Sequence, residues 1–419
     1  MAKTLASQAK DGGSIPLARF VKLVLRPVLT LLLAVGVAAP AAARPADVTL
    51  EARALLPAQT LAPGPPSGAA LGSAPINGVT PPFAAQPVQG FSAVLPARGG
   101  RFWALTDNGY GGEDNSKDFL LRMYRIRPSW RTARGGRGTI AVGRFITLRD
   151  PDGHVPFALE RPDRRLTGGD FDPESVRRDA HGDLWFGDEF GPWLLHTNAR
   201  GKLLEPPIAL PGVSSPHNPP VAPFNPTPTL RRSNGFEGMA LGADGETLYP
   251  MLEGALIADP DQRRRLIHRY VPDRGGYTGQ TWQYRVEAPE HAIGDFTQLG
   301  RHRFVVIERD NLQGAAAAFK KIYAIDFREV DAEGFLVKRE VVDLLHIDPG
   351  GVALGARPGD VGLGAEFAFP FQTIEDVLPL GRRRLLVICD NNLPFSNGRN
   401  PAEPDRTEAI VLEVPGLRR

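Results

Sequence analysis

The stretch GDLWFGDEFG at 182–191 runs an apolar segment, Leu184-Trp185-Phe186, into two adjacent acids, Asp188 and Glu189. Carboxylates at the end of a buried strand are costly unless they are paired or hold a cation. The pattern recurs. Asp107, Glu253, Glu308 with Asp310, and Asp390 each close an apolar run, with Asn108, Asn311, Asn391 and Asn392 beside them. A second set, Glu174, Glu237, Asp295 and Glu375, opens an apolar run 13 to 16 residues earlier, with Ser92 in that place in the first copy.

Grouped carboxylates with neutral amide oxygens form a donor set for a hard cation. Ca²⁺ takes about six to eight oxygens, mostly carboxylate, carbonyl and water. It is the expected ion, with Mg²⁺ or Mn²⁺ as alternatives. No His/Cys cluster has zinc spacing. The expected ligands are Asp107, Asp188, Glu189, Glu253, Glu308, Asp310, Glu375, Asp390 and Asn391. Glu237, alone between glycines in NGFEGM, reads as the general base, and Glu174 is the second choice. Arg309, Lys117, Lys320 and Lys321 lie in or near the same segments and would clamp an anionic substrate. Taken singly, such acids are ordinary turn residues and such lysines ordinary solvated ones. The recurrence at two fixed positions carries the reading.

The elements that position these residues are hairpins. Five copies of strand, short Gly-containing turn and strand begin near Gly90, Asp172, Gly235, Ile293 and Thr373. Antiparallel strands bring the start of the first beside the end of the second, so both sets of acids share one edge of each hairpin. Further strand-like runs, such as FLLRMYRI and IYAIDF, extend each unit to three or four strands. The expected fold is all-β, a β-propeller of five to six blades of three- to four-stranded antiparallel sheets. The innermost strands would then converge the acids on one mouth of the central channel. VTLEARALL at 48–56 and EAIVLEV at 408–414 could build one blade from both chain ends. Residues 205–234 are Pro-rich and read as an irregular loop, and His217 within it reads as a surface residue.

The 419 residues suffice for one large all-β domain, and Gly 46 and Pro 40 favour many turns. Residues 1–43 place a basic leader before the apolar run VLTLLLAVGVAA and a small-residue site near Ala43, the order of a cleaved signal peptide. The apolar run is shorter than the ~20 residues of a membrane span. The expected division is therefore a signal peptide at 1–43 and a single propeller domain at 44–419, with its core at 48–415. The expected location is periplasmic or secreted. The leader carries a net +4, so the chain without it carries −2, which removes the electrostatic case for nucleic acid. Cys389, the one cysteine, lies in LLVICD and reads as a buried small hydrophobe. Nothing calls for an obligate oligomer, and a monomer is expected.

These repeats resemble the phytase-like family, described as having esterase-like activity of phytase. The resemblance rests on FWALTDNGYG, DPES with GDLWFGDEFGPWLL, NGFEGMAL, IERDN and IEDVLPLGRRRLLVICDNN, in that order along nearly the whole chain after the leader. It implies a secreted or periplasmic propeller hydrolase acting on phosphate or other esters, with calcium in an acidic channel mouth.

Two rival readings remain open at this point. A lactone hydrolase would use the same metal and rim acids but needs fewer cations near the substrate. A non-enzymatic binding propeller of the cell envelope would use rim aromatics, among them Trp103, Tyr110, Trp185, Phe190 and Trp193. No Gly-x-Ser-x-Gly elbow, phosphate-binding Gly-x-x-x-x-Gly-Lys loop or His-Glu-x-x-His is present.

Overall fold

In the computed structural model, residues 48–217 and 227–418 are described, and the leader lies outside them. Strand β1 (Thr49–Leu56) is followed by a short ribbon, β2 (Leu61–Ala62) with β3 (Gln86–Pro87). Five hairpin-connected sheets follow. The first is β4 (Phe91–Ala97), β5 (Arg101–Thr106), β6 (Arg122–Ser129) and β7 (Thr139–Thr147). The second is β8 (Pro173–Arg178), β9 (Leu184–Asp188), β10 (Trp193–Thr197) and β11 (Ile208–Ala209). The third is β12 (Phe236–Leu241), β13 (Leu248–Leu252), β14 (Arg264–Val271) and β15 (Gly276–Arg285). The fourth is β16 (Ala292–Gln298), β17 (Arg303–Arg309), β18 (Lys320–Val330) and β19 (Leu336–Asp343). The last contains β20 (Ile374–Pro379), β21 (Arg384–Cys389) and β22 (Thr407–Glu413).

Strand β1 completes the last blade by pairing antiparallel with β22, from Thr49 opposite Glu413 to Leu56 opposite Thr407. The ring thus closes with one strand from the beginning of the chain and three from the end. Inner strands β4, β8, β12, β16 and β20 pack successively around the axis, and β20 returns to β4. The fold is a five-bladed propeller, every blade four-stranded. The longer gaps hold no sixth blade among the described residues. A single parallel bridge, Leu55 to Thr139, joins the outer strands of the last and first blades.

The core is divided by the blades. Five apolar clusters each fill one blade-to-blade junction, as with Trp103, Leu105, Phe186 and Trp193 between the first two. Strand alternation sends one set of side chains into each junction and the other set into the next. Cys389 is fully buried in one of these clusters, as a small hydrophobe would be.

Candidate active site at the channel mouth

Each inner strand carries a β-bulge at its first turn. The register slips between Phe91 and Ala93, Pro173 and Ser175, Phe236 and Gly238, Ile293 and Asp295, and Ile374 and Asp376. The bulged residues are therefore Ser92, Glu174, Glu237, Gly294 and Glu375. A bulge re-aims its side chain and commonly marks a site. Beside them, one step beyond the last residue paired before each bulge, stand Asp107, Glu189, Glu253, Arg309 and Asp390. The pairing fixes these positions: Asp107 donates its backbone N–H to Gly90, Glu253 donates to Gly235, and Ala292 lies opposite Arg309. Ten side-chain positions thus encircle the mouth, and seven of them are acids.

Six acids form one connected cluster. Carboxylate oxygens of Asp172, Glu174 and Glu189 lie within 4.8 Å of one another. The same holds for Glu174, Glu237 and Glu375, and for Glu189, Glu237 and Glu253. Asp107 and Asp390 extend the negative field beside Glu375. Arg309 is the cation in their midst. Its Nη2 donates to Glu375 Oε1 at 2.9 Å and its Nη1 to Asn311 Oδ1 at 2.5 Å. Ser92 Oγ donates to Glu375 Oε2 at 3.2 Å, and Asn234 Nδ2 to Glu253 Oε2 at 3.1 Å.

Burial drives the electrostatics. It pushes Glu174, Glu189 and Glu237 well above the ordinary carboxylate range, and neighbouring carboxylates push them further. Burial raises Glu375 to about 8 against the pull of Arg309, and raises Asp390 to about 6. Glu174 Oε2 is buried without a hydrogen-bond partner. An all-oxygen set with an unmatched buried carboxylate oxygen suits a hard cation, which would replace the protons that otherwise neutralise it.

The structure turns several expected residues away. Asp188 and Glu308 are paired strand residues opposite Pro173 and Ile293, one step short of the mouth positions. Neighbouring residues of a strand face opposite sides, so one step takes them into the wall. Asp188 accepts the backbone N–H groups of Asp172 and Gly191. Glu308 is held by Tyr284, His291 and Lys338. Burial opposes its charge, but His291 and Lys338 outweigh it and keep Glu308 below its ordinary range. Asp310 is committed to Lys320 and to the backbone of Ala318 and Phe319. Asn391 bonds Asp405 and Thr407, inside the fold.

Asp295 follows the bulge instead of occupying it, and its carboxylate meets Arg177 and the Val377 N–H in the channel below. Gly294 stands in the bulge because the next blade comes too close. A Cβ there would lie 2.0 Å from the Ile374 carbonyl oxygen. Three proposed clamps are likewise occupied elsewhere. Lys117 pairs with Glu160, Lys321 with Glu340, and buried Lys320 with Asp310 and two carbonyls. Burial, then Arg309, lowers Lys320 to about 8.

Two residues at the mouth stand out only in the structure. Asp172 lies outside the hairpin positions; it accepts Asn108 N at 3.0 Å and Asn108 Nδ2 at 2.5 Å. The sequence signal was its place two residues before Glu174 in DFDPES. His217, expected at the surface, has a side chain only 4% exposed, stacks on Phe190 and bonds Glu113. Burial raises Asp172 above its ordinary carboxylate range, against the hydrogen bonds from Asn108. The aromatics offered as a binding surface are also inside: Tyr110, Trp185, Phe190 and Trp193 are buried.

Residues 86–393 match the phytase-like family, described as esterase-like activity of phytase. An uncharacterised secreted protein of Arthroderma benhamiae is 29% identical over 183 residues, 35% of this chain and 36% of that protein. The chain thus matches about a third of that relative's length. Among solved structures, a luciferin-regenerating enzyme aligns at 12% identity over 78% of each chain, with a TM-score of 0.36. The PQQ-bound aldose sugar dehydrogenase of Streptomyces coelicolor aligns at 12% over 88% of this chain and 99% of its own, at 0.35. At these scores the likeness carries no argument, and the blade count stands on strand pairing alone. The family match covers well over half of the sequence and contains every acid of the mouth cluster: the chain belongs to the phytase-like family.

Proposed function

We propose that the mouth is the active site of a metal-dependent hydrolase of small esters. The observation that carries this reading is the connected cluster of Asp172, Glu174, Glu189, Glu237, Glu253 and Glu375, with Arg309 beside it. Asp172, Glu174, Glu189, Glu253 and Glu375 would hold Ca²⁺ or a related hard cation. When bound, such an ion supplies Lewis-acid polarisation of an ester oxygen and neutralises negative charge.

The chain's own residues do the rest. Glu237, like Glu174 and Glu189, belongs to two of the three overlapping triads, beside Glu174 and Glu375 in one and Glu189 and Glu253 in the other. With its neighbours neutralised, its elevated proton affinity suits it to take the proton of a water. Arg309 holds Glu375 in place and eases its ionisation against burial, and its charge favours the anion that forms as the ester carbonyl or phosphoryl is attacked. The ring of blades shields the cluster from bulk water, which strengthens every such interaction.

The cation count bears on the substrate class. Phosphate esters need several positive groups, yet only Arg309 of the four candidate clamps reaches the cluster. That favours an uncharged ester or lactone over a multiply phosphorylated substrate. The buried aromatics argue against a purely binding propeller. Residues 1–43 would act as a cleaved leader, making the protein periplasmic or secreted; N-terminal sequencing of the exported protein tests the cleavage.

The test of the activity is an assay of carboxylic esters, lactones and phosphomonoesters with calcium and with chelator. Chelator-sensitive turnover that favours uncharged esters is expected. Full activity in chelator would overturn the metal-dependent reading.

A further inference from the structure

A second cavity, of about 330 Å³, opens at the seam where the ring closes. Its wall comes from the end of β1, the start of β7, the start of β22 and the segments 354–363 and 399–406. None of the mouth acids contributes to it. Six arginines line it: Arg53, Arg131, Arg137, Arg357, Arg399 and Arg406. Four acids face them, and all four are committed.

Glu408 forms the buried floor. Arg53 reaches it in bidentate fashion, Nε to Oε1 and Nη2 to Oε2, both at 2.7 Å, while Arg399 Nη2 donates to Oε1 at 3.0 Å. One carboxylate therefore serves two guanidiniums. Asp360 takes Arg357 and Asn400, and Glu403 takes Arg357 at 2.8 Å and Arg406 at 3.6 Å. The oxygens of Asp405 accept the backbone N–H groups of Gly398 and Arg399. Arg131 and Arg137 have no carboxylate partner among the described residues; the Arg131 side chain donates only to the Arg137 carbonyl, at 3.3 Å. The cavity holds two more arginines than acids.

Leu55, Leu354, Leu363 and Phe371 supply an apolar part of the lining. A volume of this size lies at the lower end of the range for small-ligand sites, roughly 300–1,000 Å³. Guanidiniums favour planar or tetrahedral oxyanions, which they bind through paired hydrogen bonds. We propose that this cavity binds a small organic anion, its carboxylate or phosphate head on Arg131 and Arg137 and its apolar body against the leucines and Phe371. The site is separate from the mouth. A ligand there would add to the seam between the first and last blades, which backbone pairing holds at Leu55 with Thr139 and at Arg53 with Arg131.

Phenylphosphonate, a non-hydrolysable aryl oxyanion, is the probe. It is titrated by calorimetry into the whole folded protein, into Arg131→Ala/Arg137→Ala and into Glu375→Gln. One saturable site is expected, weakened at least about tenfold in the double variant, since the charge-assisted hydrogen bonds of both guanidiniums are lost. Glu375→Gln should leave it unchanged. Arg137 is exposed, so the single variant Arg137→Ala keeps the native fold and should weaken binding in the same direction. Binding that is absent from the native protein, unchanged in both arginine variants, or lost only in Glu375→Gln would overturn the proposal.

Discussion

Arg309 on the fourth blade donates from Nη2 to Oε1 of Glu375 on the fifth at 2.9 Å, and both side chains are buried. This pair crosses a blade junction in the middle of an otherwise acidic mouth. Arg309 occupies the position that the other four blades give to Asp107, Glu189, Glu253 and Asp390. A single inverted charge at that ring position stabilises the acids around it and sets the polarity of the site.

Removing the arginine exposes its worth. Arg309→Met leaves Glu375 buried with Ser92 as its remaining hydrogen-bond partner, and breaking a buried pair in this way costs about 3–5 kcal/mol. Glu375→Gln in the same chain should recover much of that loss. A double-mutant cycle on urea unfolding, in chelator, measures the coupling; strictly additive effects would contradict it.

The acids predict an inverted pH profile for the cation-free protein. Glu375 titrates at about 8 and Asp390 at about 6 in the fold. In the unfolded chain both titrate near about 4. Between these limits the folded protein holds protons that the unfolded chain has lost. Its stability is therefore fullest at the acid end and declines as pH rises through the folded values. Saturating calcium should flatten or reverse the decline, because the ion takes the place of those protons. Melting temperatures between about pH 5 and about pH 8, with calcium and with chelator, decide the matter.

Gly294 is predicted to be irreplaceable. A methyl group there meets the backbone of Ile374, which cannot move without shifting the whole inner strand of the fifth blade. Gly294→Ala should cost at least about 1–3 kcal/mol, the usual range for overpacking. An unchanged urea midpoint would show that β16 and β20 can part there at no cost.

A mouth acid and a wall acid should behave oppositely. Glu237→Gln is expected to lower kcat by about 10²–10⁴-fold, the usual contribution of a general base, with the fold intact. Glu308→Gln should leave kcat near the native value and reduce stability instead, since Glu308 anchors Tyr284, His291 and Lys338. Steady-state kinetics with the best ester, alongside melting curves, separate the two.

The hairpin spacing made the mouth largely legible. Acids opening one strand and closing the next had to share an edge, and the five copies had to repeat that edge around a ring. Glu174, Glu189, Glu237, Glu253 and Glu375 meet there for that reason. The failures came from single-residue parity. Sequence shows that Asp188 and Glu189 are adjacent, but not which of them faces the channel. The bulge decides that, and its position is set by the packing of neighbouring inner strands. Asp295 was misaligned with Gly294 for the same cause. Lys320 and Asp310 found each other across β17 and β18, a pairing that no spacing along the chain displays. Asp172 joins the cluster from just before β8, at neither of the two repeated positions that identified the others.

The central claim is that the mouth acids form a cation site. Calorimetric titration of Ca²⁺ into chelator-treated protein tests it most directly, with Glu237→Gln/Glu375→Gln and Glu308→Gln titrated in parallel. The account predicts stoichiometric binding to the native chain, at least about a hundredfold weaker in the mouth variant and unchanged in Glu308→Gln. No binding to the native protein, or equal binding to all three, would contradict it.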